Sequence, residues 1–357
     1  MPTPVDPEKL KDYAKRVFGA LGGAMTSAMI YAGDRMGLYR ALAEAGPATA
    51  AELAARTGLS ERWLREWLQQ QGAAGVLEYR GQERFALSPE GSAVLADEAH
   101  PACGIGFFSH LPQMLAVAER LPECFASGLG LPYDAFGPEG ARGIERGIAP
   151  WFRALLVPFA LPRVGGVVER LRAGARAADV GCGAGVALLE MAKAFPQSEF
   201  HGYDISKHAL ARAEENLAAS GLENVGFHDA AADPLPADGR FAFVTCFDCL
   251  HDMTDPASMA RRIRQSLASD GTWLVAEIKA HESYECNVEK NPMAAMMYGS
   301  SVLTCMSSAL SEPGGLGLGT LGLHGALLQR MAEEAGFTRF ESLDLGHPVN
   351  AFYVIRP

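Results

Sequence analysis

The sequence predicts an α/β protein in which a Rossmann-like, doubly wound parallel sheet follows an all-helical domain of winged-helix outline. Three observations predict this architecture. The chain has 357 residues, more than a usual single domain, and its 48% hydrophobic content is enough for two cores. Residues up to about 95 show helical periodicity and then a short hairpin pattern. After Ala177 strand and helix patterns alternate, which is typical of a parallel sheet.

The N-terminal domain, residues 1–95, is predicted from its order of elements. A helix over 51–57, a turn at Gly58, a second helix capped by Ser60 and a hairpin over 76–87 make a winged helix. Such a domain can bind DNA. However, the second helix alternates acidic and basic side chains, and the formal net charge of the chain is −11, which disfavours phosphate contacts. We therefore expect a dimerisation domain in a homodimer, with no nucleic-acid partner.

Residues 96–172 are predicted to form helices punctuated by proline and glycine. We expect this segment to link the N-terminal domain to the sheet domain, residues 173–357, and to roof its pocket. Trp151 and Arg153 are predicted to bind substrate, because an arginine can pair with an acceptor carboxylate. The alternative is a packing helix with a solvated Arg153.

Membrane, disulfide and metal signals are weak in this sequence. The N-terminus has no apolar signal core, and no stretch approaches the roughly 20 apolar residues that span a bilayer. The seven cysteines do not suggest a disulfide scaffold. Cys246 and Cys249 are predicted to face opposite sides of a buried strand, which argues against a shared metal. We expect a cytoplasmic protein without a membrane partner or a metal site.

The stretch "DVGCGAG" places a glycine-rich turn after the first strand of the sheet. Gly181, Gly183 and Gly185 let the backbone approach a ligand closely. Asp179 would repel a pyrophosphate but can accept hydrogen bonds from an ammonium group. Gly185 also follows Gly183 by two residues, whereas the dinucleotide motif G-x-G-x-x-G has three. A tight turn in a dehydrogenase-like sheet is the alternative.

Acidic residues close the next two strands. Asp204 lies about 20 residues past the glycines, the spacing at which a carboxylate binds a ribose diol, and Ile205 is beside it. Asp229 can accept from an adenine amino group, Ala230 is predicted to supply a backbone donor, and Phe247 is predicted to cover the adenine face. An amino acid, a ribose and an adenine without phosphates make S-adenosyl-L-methionine, the predicted cofactor.

The motifs "DVGCGAG", Asp204, "HDAA" and "LHDMTDP", in this order, resemble the class I S-adenosylmethionine-dependent methyltransferases. With the winged helix in front, the chain is similar to the dimeric small-molecule O-methyltransferases. That resemblance implies that His251 is a general base and that Glu277 orients it. The Glu that this family carries near the penultimate helix is not evident, and His324 lies in that neighbourhood.

The acceptor is predicted to be a small molecule with a hydroxyl or a thioether. Met297 and Tyr298 are predicted to line a lid over it, and His324 is a third candidate contact. The chain also resembles bacterial S-methyltransferases of 4-methylthio-2-hydroxybutyrate in dimethylsulfoniopropionate synthesis, whose thioether acceptor loses no proton and needs no base. The alternative function is a DNA-binding regulator that senses S-adenosylmethionine through the sheet.

Overall fold

The computed structural model describes residues 4–357, which form two compact units. The first unit ends at Leu111 and the second spans Pro112–Pro357. The division falls inside the segment 96–172, so this segment is not a unit by itself. Among the described residues, no helix combines the length and apolarity needed to cross a bilayer.

The N-terminal unit is helical and carries the predicted winged-helix elements. Thr49 and Glu52 cap α3 reciprocally, and Gly58 ends it at φ +71°. Ser60 occupies the N-cap position of α4 without a side-chain cap bond. The elements are α1 (Pro7–Arg35), α2 (Leu38–Ala45), α3 (Ala50–Thr57), α4 (Glu61–Ala73), an antiparallel pair β1 (Glu78–Tyr79) and β2 (Phe85–Ala86), α5 (Pro89–Leu95) and α6 (Gly106–Ser109).

Basic side chains on α4 are paired with acidic ones on the same helix. Arg62 lies 2.6 Å from Glu66, and Arg65 contacts Glu61, each pair spanning one helical turn. α4 therefore presents a balanced charge pattern instead of the basic face that a DNA-reading helix carries.

Helices from Leu111 to Arg172 lead into the sheet. They are α7 (Leu111–Ala116), α8 (Leu121–Ser127), α9 (Gly137–Trp151) and α10 (Val167–Arg172). α9 continues into a π-helical segment, Phe152–Ala160. Pro150 and Pro158 each remove a backbone donor there, which explains the departure from regular α-helical bonding.

The sheet of the second unit has the strand order β5-β4-β3-β6-β7-β9-β8 within the described residues. Strands β3 to β7 are parallel and β9 is antiparallel to both β7 and β8. The strands are β3 (Arg176–Val180), β4 (Glu199–Asp204), β5 (Val225–Asp229), β6 (Phe241–Phe247), β7 (Leu267–Ile278), β8 (Arg339–Leu343) and β9 (Asn350–Arg356).

Helices cover both faces of this sheet and bury two apolar cores. One core contains Leu188 and Phe200, and the other contains Leu250 and Trp273. The helices are α11 (Val186–Ala194), α12 (Lys207–Ser220), α13 (Pro256–Ser266), α14 (Tyr284–Lys290), α15 (Ala294–Leu303), α16 (Cys305–Ala309) and α17 (Gly325–Glu334). The predicted doubly wound α/β fold is confirmed.

The strand order reverses at β3, which pairs with β4 on one side and β6 on the other. In doubly wound sheets, ligands bind beyond the carboxyl ends of the strands at such a switch point. Asp179, Asp204, Asp229 and Glu277 all lie at or next to those strand ends. The topology thus brings the predicted carboxylates to one edge of the sheet.

Candidate active site

The glycine turn after β3 has an open side. Gly181, Gly183 and Gly185 have φ values of +70°, +54° and +76°, which favour glycine. A Cβ at Gly181 would lie 2.5 Å from the Cβ of Cys249, and one at Gly185 would lie 2.4 Å from the Phe227 ring. At Gly183 no described heavy atom lies within 4 Å of that position. Gly183 is therefore the place where a ligand can approach the backbone.

Asp179 is buried beneath this turn. Its Oδ1 accepts a hydrogen bond from Thr245 Oγ1 at 2.6 Å. Burial and the nearby Asp204 raise the pKa of Asp179 to about 7, although the Thr245 hydroxyl opposes the shift. A carboxyl group with this pKa is stabilised as an anion when a cationic ligand group binds beside it.

Asp204 connects the glycine turn to the end of β4. Oδ2 accepts from the Gly183 N–H and Oδ1 from the Ser206 N–H, each at 2.8 Å. These bonds fix the carboxylate plane, and each oxygen keeps accepting capacity for a ribose hydroxyl. Ile205 is 65% exposed, so its apolar side chain is available to pack on a nucleoside. Asp134, which sequence reasoning missed, accepts a 2.6 Å hydrogen bond from Ser206 Oγ beside this carboxylate.

Asp229 ends β5, but its surroundings differ in part from the prediction. Oδ1 accepts from the Ala231 N–H at 3.0 Å, and the carboxylate is partly exposed. The Ala230 N–H donates to the Asp204 carbonyl at 2.9 Å. The prediction that Ala230 offers a free donor to adenine is therefore wrong in this structure, because the extended strand pairing uses that group.

Phe247 lies on β6, at a distance from the strand that carries Asp229. Its strand β6 is three places from β5 in the sheet, which corresponds to about 14 Å. The Phe247 ring packs on Phe152, with 5.0 Å between centroids, as part of the apolar core. The contact of Phe247 with adenine therefore stays a prediction that requires the cofactor to span these strand ends.

His251 and Glu277 form a buried pair where β6 and β7 end. His251 Nδ1 lies 2.6 Å from Glu277 Oε2, and the side chains are 3% and 2% exposed. Glu277 Oε1 also accepts from the Leu250 N–H at 2.8 Å. Burial lowers the pKa of His251, but Glu277 and Cys305 raise it well above its ordinary value. Glu277 thus fixes the ring and leaves Nε2 as the second functional nitrogen.

The backbone bends at Asp248, three residues before His251. Its φ of +52° is unusual for a residue other than glycine, and its N–H donates to the Ala276 carbonyl at 2.8 Å. Its side chain accepts a hydrogen bond from Asn350, on β9. Contacts from β7 and β9 therefore hold the bend that turns His251 toward Glu277.

A cluster that sequence reasoning missed lies next to this pair. One donor atom each from His251, Asp252 and Cys305 lie within 4.8 Å of one another. Tyr133 completes the cluster, with its hydroxyl 3.7 Å from Cys305 Sγ. Burial raises the pKa of Asp252, and it also raises that of Cys305, but His251 lowers the Cys305 pKa below its ordinary value. The "HD" dipeptide was the available signal for Asp252.

Trp151 and Arg153 have packing and surface positions. The Trp151 ring stacks on Phe352 at 5.5 Å between centroids and meets His347 edge-on at 5.4 Å. Arg153 is exposed. These contacts fit the alternative of a packing helix with a solvated arginine, and the substrate role of Trp151 and Arg153 stays a prediction.

Met297, Tyr298 and His324 likewise serve local structure. Met297 is buried in a small core with Leu321, and the Tyr298 hydroxyl accepts from Asn287 Nδ2 at 3.3 Å. His324 is the N-cap of α17, where its Nδ1 accepts from the Leu327 N–H at 3.3 Å. A capping histidine satisfies a helix-end donor through Nδ1, and the substrate contact of His324 stays a prediction.

Two family models match this chain. Residues 171–336 match a methyltransferase domain, and residues 24–97 match an Rv2258c-like winged helix-turn-helix domain. The first range contains the glycine turn, the strand-end carboxylates and the His251–Glu277 pair. The second contains α2 to α4 and the hairpin.

Similar proteins include methyltransferases of several kinds. The chain is 36% identical over 102 residues to a ubiquinone biosynthesis O-methyltransferase of Methylococcus capsulatus, covering 28% of this chain and 42% of that one. It is 29% identical over 278 residues to demethylspheroidene O-methyltransferase of Cereibacter sphaeroides, covering 74% of this chain and 70% of that one. The fold is shared with human N-acetylserotonin methyltransferase, solved with S-adenosylmethionine, at a TM-score of 0.66 and 20% identity over 100% and 99% of the chains.

The class of domain and its cofactor follow from the family match and the fold. The carboxylates at the strand ends are consistent with both. The chain spans about 42% of the length of the ubiquinone enzyme that it matches. S-adenosyl-L-methionine is the cofactor of this domain class. The chain therefore combines a winged helix-turn-helix domain with an S-adenosylmethionine-dependent methyltransferase domain.

Proposed function

We propose that this protein transfers the methyl group of S-adenosylmethionine to an oxygen atom of a small-molecule acceptor, with His251 as general base. The observation that carries the proposal is the 2.6 Å contact between His251 Nδ1 and Glu277 Oε2, next to the glycine turn. The printed names of the Methylococcus and Cereibacter relatives, both O-methyltransferases, support oxygen as the acceptor atom.

The roles of the two residues follow from their geometry. In the neutral form of His251, Glu277 accepts the Nδ1–H and Nε2 carries the lone pair that an acceptor hydroxyl needs. Because Glu277 and Cys305 raise the pKa of His251, the ring has to lose its second proton before it can act as the base. As the hydroxyl oxygen attacks the methyl group, Nε2 takes its proton and the imidazolium forms beside the Glu277 carboxylate. That carboxylate stabilises the new positive charge in a site with little water. The pair therefore favours proton loss during methyl transfer.

The acceptor atom can be determined with S-adenosylmethionine carrying a ¹³C-labelled methyl group. We expect label on oxygen when phenols and hydroxy acids are screened, with S-adenosylhomocysteine formed in equal amount. The thioether acceptor, 4-methylthio-2-hydroxybutyrate, belongs in the same screen, because label on its sulfur would replace the oxygen assignment. NMR separates methoxy from methylsulfonium carbons directly.

The alternative function, a DNA-binding regulator, is not favoured. The arginines of α4 are paired with glutamates, and the relatives named above are methyltransferases. Salt-dependent binding of random duplex DNA would support the regulator instead.

Cofactor affinity is expected to depend on pH through Asp179. Its pKa of about 7 in the free protein means that the carboxyl group is largely protonated below that pH. The ammonium group of S-adenosylmethionine favours the anion, so binding at lower pH must first release a proton. We expect the affinity to fall by up to tenfold per pH unit below about 7 and to level off above it. Calorimetry across this range measures the dependence.

Asp179→Asn is the matched control for this pH effect. The amide keeps the size of the side chain and removes its titration, so the remaining affinity should lose most of its dependence on pH. Asp204 also has a raised pKa because of burial, and it accounts for any residual slope. A parent protein whose affinity is flat between about pH 5.5 and 8 would contradict the placement of Asp179 beside the ammonium group.

We propose that the N-terminal unit forms a homodimer through α1. This helix is about 44 Å long, and its exposed side chains include a stripe of large apolar residues, each more than half exposed. An uncovered stripe of this length is unusual for a monomer, and a second copy of the same helix has the complementary chemistry. The stripe comprises Leu10, Tyr13, Val17, Phe18, Leu21 and Met25.

Light scattering after size-exclusion chromatography tests the dimer. The parent should have twice the chain mass of 38.0 kDa. Replacing Phe18 and Leu21 by glutamate should shift the mass to the monomer, because like charges would face each other across the axis. Lys15→Glu, at a charged position of α1 outside the stripe, is the control and should leave the dimer intact. A parent that stays monomeric at all concentrations would contradict the proposal.

A further inference from the structure

We propose that His251, Asp252 and Cys305 form a binding site for a thiophilic divalent cation such as Zn²⁺. A ring nitrogen, a carboxylate oxygen and a thiol sulfur from these side chains lie within 4.8 Å of one another. Nitrogen, oxygen and sulfur donors of this kind are the ligands that zinc uses in proteins. The sequence predicted no metal because Cys246 and Cys249 face opposite sides of a strand. Cys305 lies far along the chain from His251 and Asp252, so its proximity to them could not be predicted.

The distances are close to what a metal ion needs. In a tetrahedral zinc site, neighbouring donor atoms are separated by about 3.3–3.6 Å, given the usual zinc–ligand bond lengths. With His251 held in place, rotations of the Asp252 and Cys305 side chains that move their donor atoms by about 1–1.5 Å bring this cluster to that separation. Three protein donors leave the fourth position for water, as in zinc sites that are not purely structural.

The contact between Glu277 and His251 is a second observation that supports the metal site. Metal-binding histidines almost always donate their other ring N–H to a carboxylate or a carbonyl, which fixes the ring. Glu277 Oε2 lies 2.6 Å from His251 Nδ1, so Nε2 is the nitrogen left for the cation. Both side chains are buried, which keeps this orientation fixed.

The charges around the cluster also favour a cation. Glu277 acts electrostatically on both Asp248 and Asp252, and His251 is the basic side chain that acts on both. A divalent ion bound here displaces to the solvent the proton that His251 and Cys305 hold between them, so that the ring nitrogen and the thiolate both bind the metal. The bound ion would offset the negative charge that burial makes unfavourable.

Metal binding is expected to affect the proposed methyl transfer. Only this expectation rests on the proposed function; the metal site itself does not. Zn²⁺ bound at His251 Nε2 occupies the lone pair that the acceptor proton needs. We therefore expect Zn²⁺ to inhibit methyl transfer to a hydroxyl. The binding test below does not use activity, so it can fail or succeed independently of the proposed reaction.

Co²⁺ titration of the untagged, full-length protein tests the site. We expect one Co²⁺ per chain, a thiolate-to-cobalt charge-transfer band in the near ultraviolet and the intense visible bands of tetrahedral coordination. Zn²⁺ should displace the Co²⁺ and remove both signals. Cys305→Ser should abolish the charge-transfer band, and Asp252→Asn should weaken Co²⁺ binding at least tenfold.

Cys286→Ser is the matched control, because Cys286 is another half-buried cysteine outside the cluster. It should keep the band and the affinity of the parent. Circular dichroism and S-adenosylmethionine binding establish that each variant is folded. A charge-transfer band that persists in Cys305→Ser, an octahedral Co²⁺ spectrum, or no saturable binding at millimolar Co²⁺ would overturn the proposal.

Discussion

Replacing His251 by alanine is expected to lower the turnover of a hydroxyl acceptor by about 10²- to 10⁴-fold, the usual effect of removing a general base. S-adenosylmethionine should still bind with nearly the parent affinity, because its predicted contacts are Asp179, Gly183 and Asp204. Steady-state kinetics with the acceptor found by the labelling screen measure the first quantity, and calorimetry measures the second.

Glu277→Gln separates a base from a residue that only orders the loop. The amide keeps the hydrogen bond to the Leu250 N–H but no longer stabilises the imidazolium, so turnover should fall while the fold persists. His100→Ala, at an exposed position in the N-terminal unit, is the control and should behave as the parent. A hydroxyl acceptor whose methylation is indifferent to His251→Ala would remove this residue from the reacting centre.

The second large effect is expected on the affinity for the cofactor. Asp204→Ala should weaken S-adenosylmethionine binding by about 1.5–3 kcal/mol, the range for hydrogen bonds to a charged group, which is roughly 10- to 150-fold in affinity. The substitution also removes the acceptor for the Gly183 and Ser206 N–H groups. Calorimetry with S-adenosylhomocysteine as a second ligand measures the loss.

Asp204→Asn is the milder variant that distinguishes ligand contacts from local disorder. The amide can still accept one backbone hydrogen bond and should retain more of the affinity than alanine. Asp233→Ala, which removes a mostly exposed carboxylate near the end of β5, is the control. Parent-like affinity in Asp204→Ala, or tight binding of a nicotinamide cofactor by the parent, would contradict the ribose assignment.

The cofactor side of the site could be predicted because its signals are local. Parallel strands end at one edge, so an acid at a strand end is placed by pattern alone, as with Asp204. The place of Phe247 relative to Asp229 could not be predicted in this way. Its position depends on strand order, and strand order depends on which surfaces pack together, a long-range property that periodicity does not contain.

The cluster around His251 lay beyond sequence reasoning for the same reason. Tyr133, Asp252 and Cys305 come from three distant segments, and their proximity results from how α16 and the helices before the sheet pack against the turn after β6. His324 had a local signal that was read differently. It directly precedes a helical pattern, which is the place of an N-cap, and the structure gives it that role.

A crystal structure with S-adenosylhomocysteine bound tests the central claim most directly. We expect the ribose hydroxyls at the Asp204 carboxylate, the ammonium group on the Asp179 side of the glycine turn, and the sulfur atom facing the His251–Cys305 cluster. In that arrangement an acceptor oxygen can contact both the methyl group and His251 Nε2. A homocysteine moiety pointing toward the β5 edge, away from His251, would contradict it.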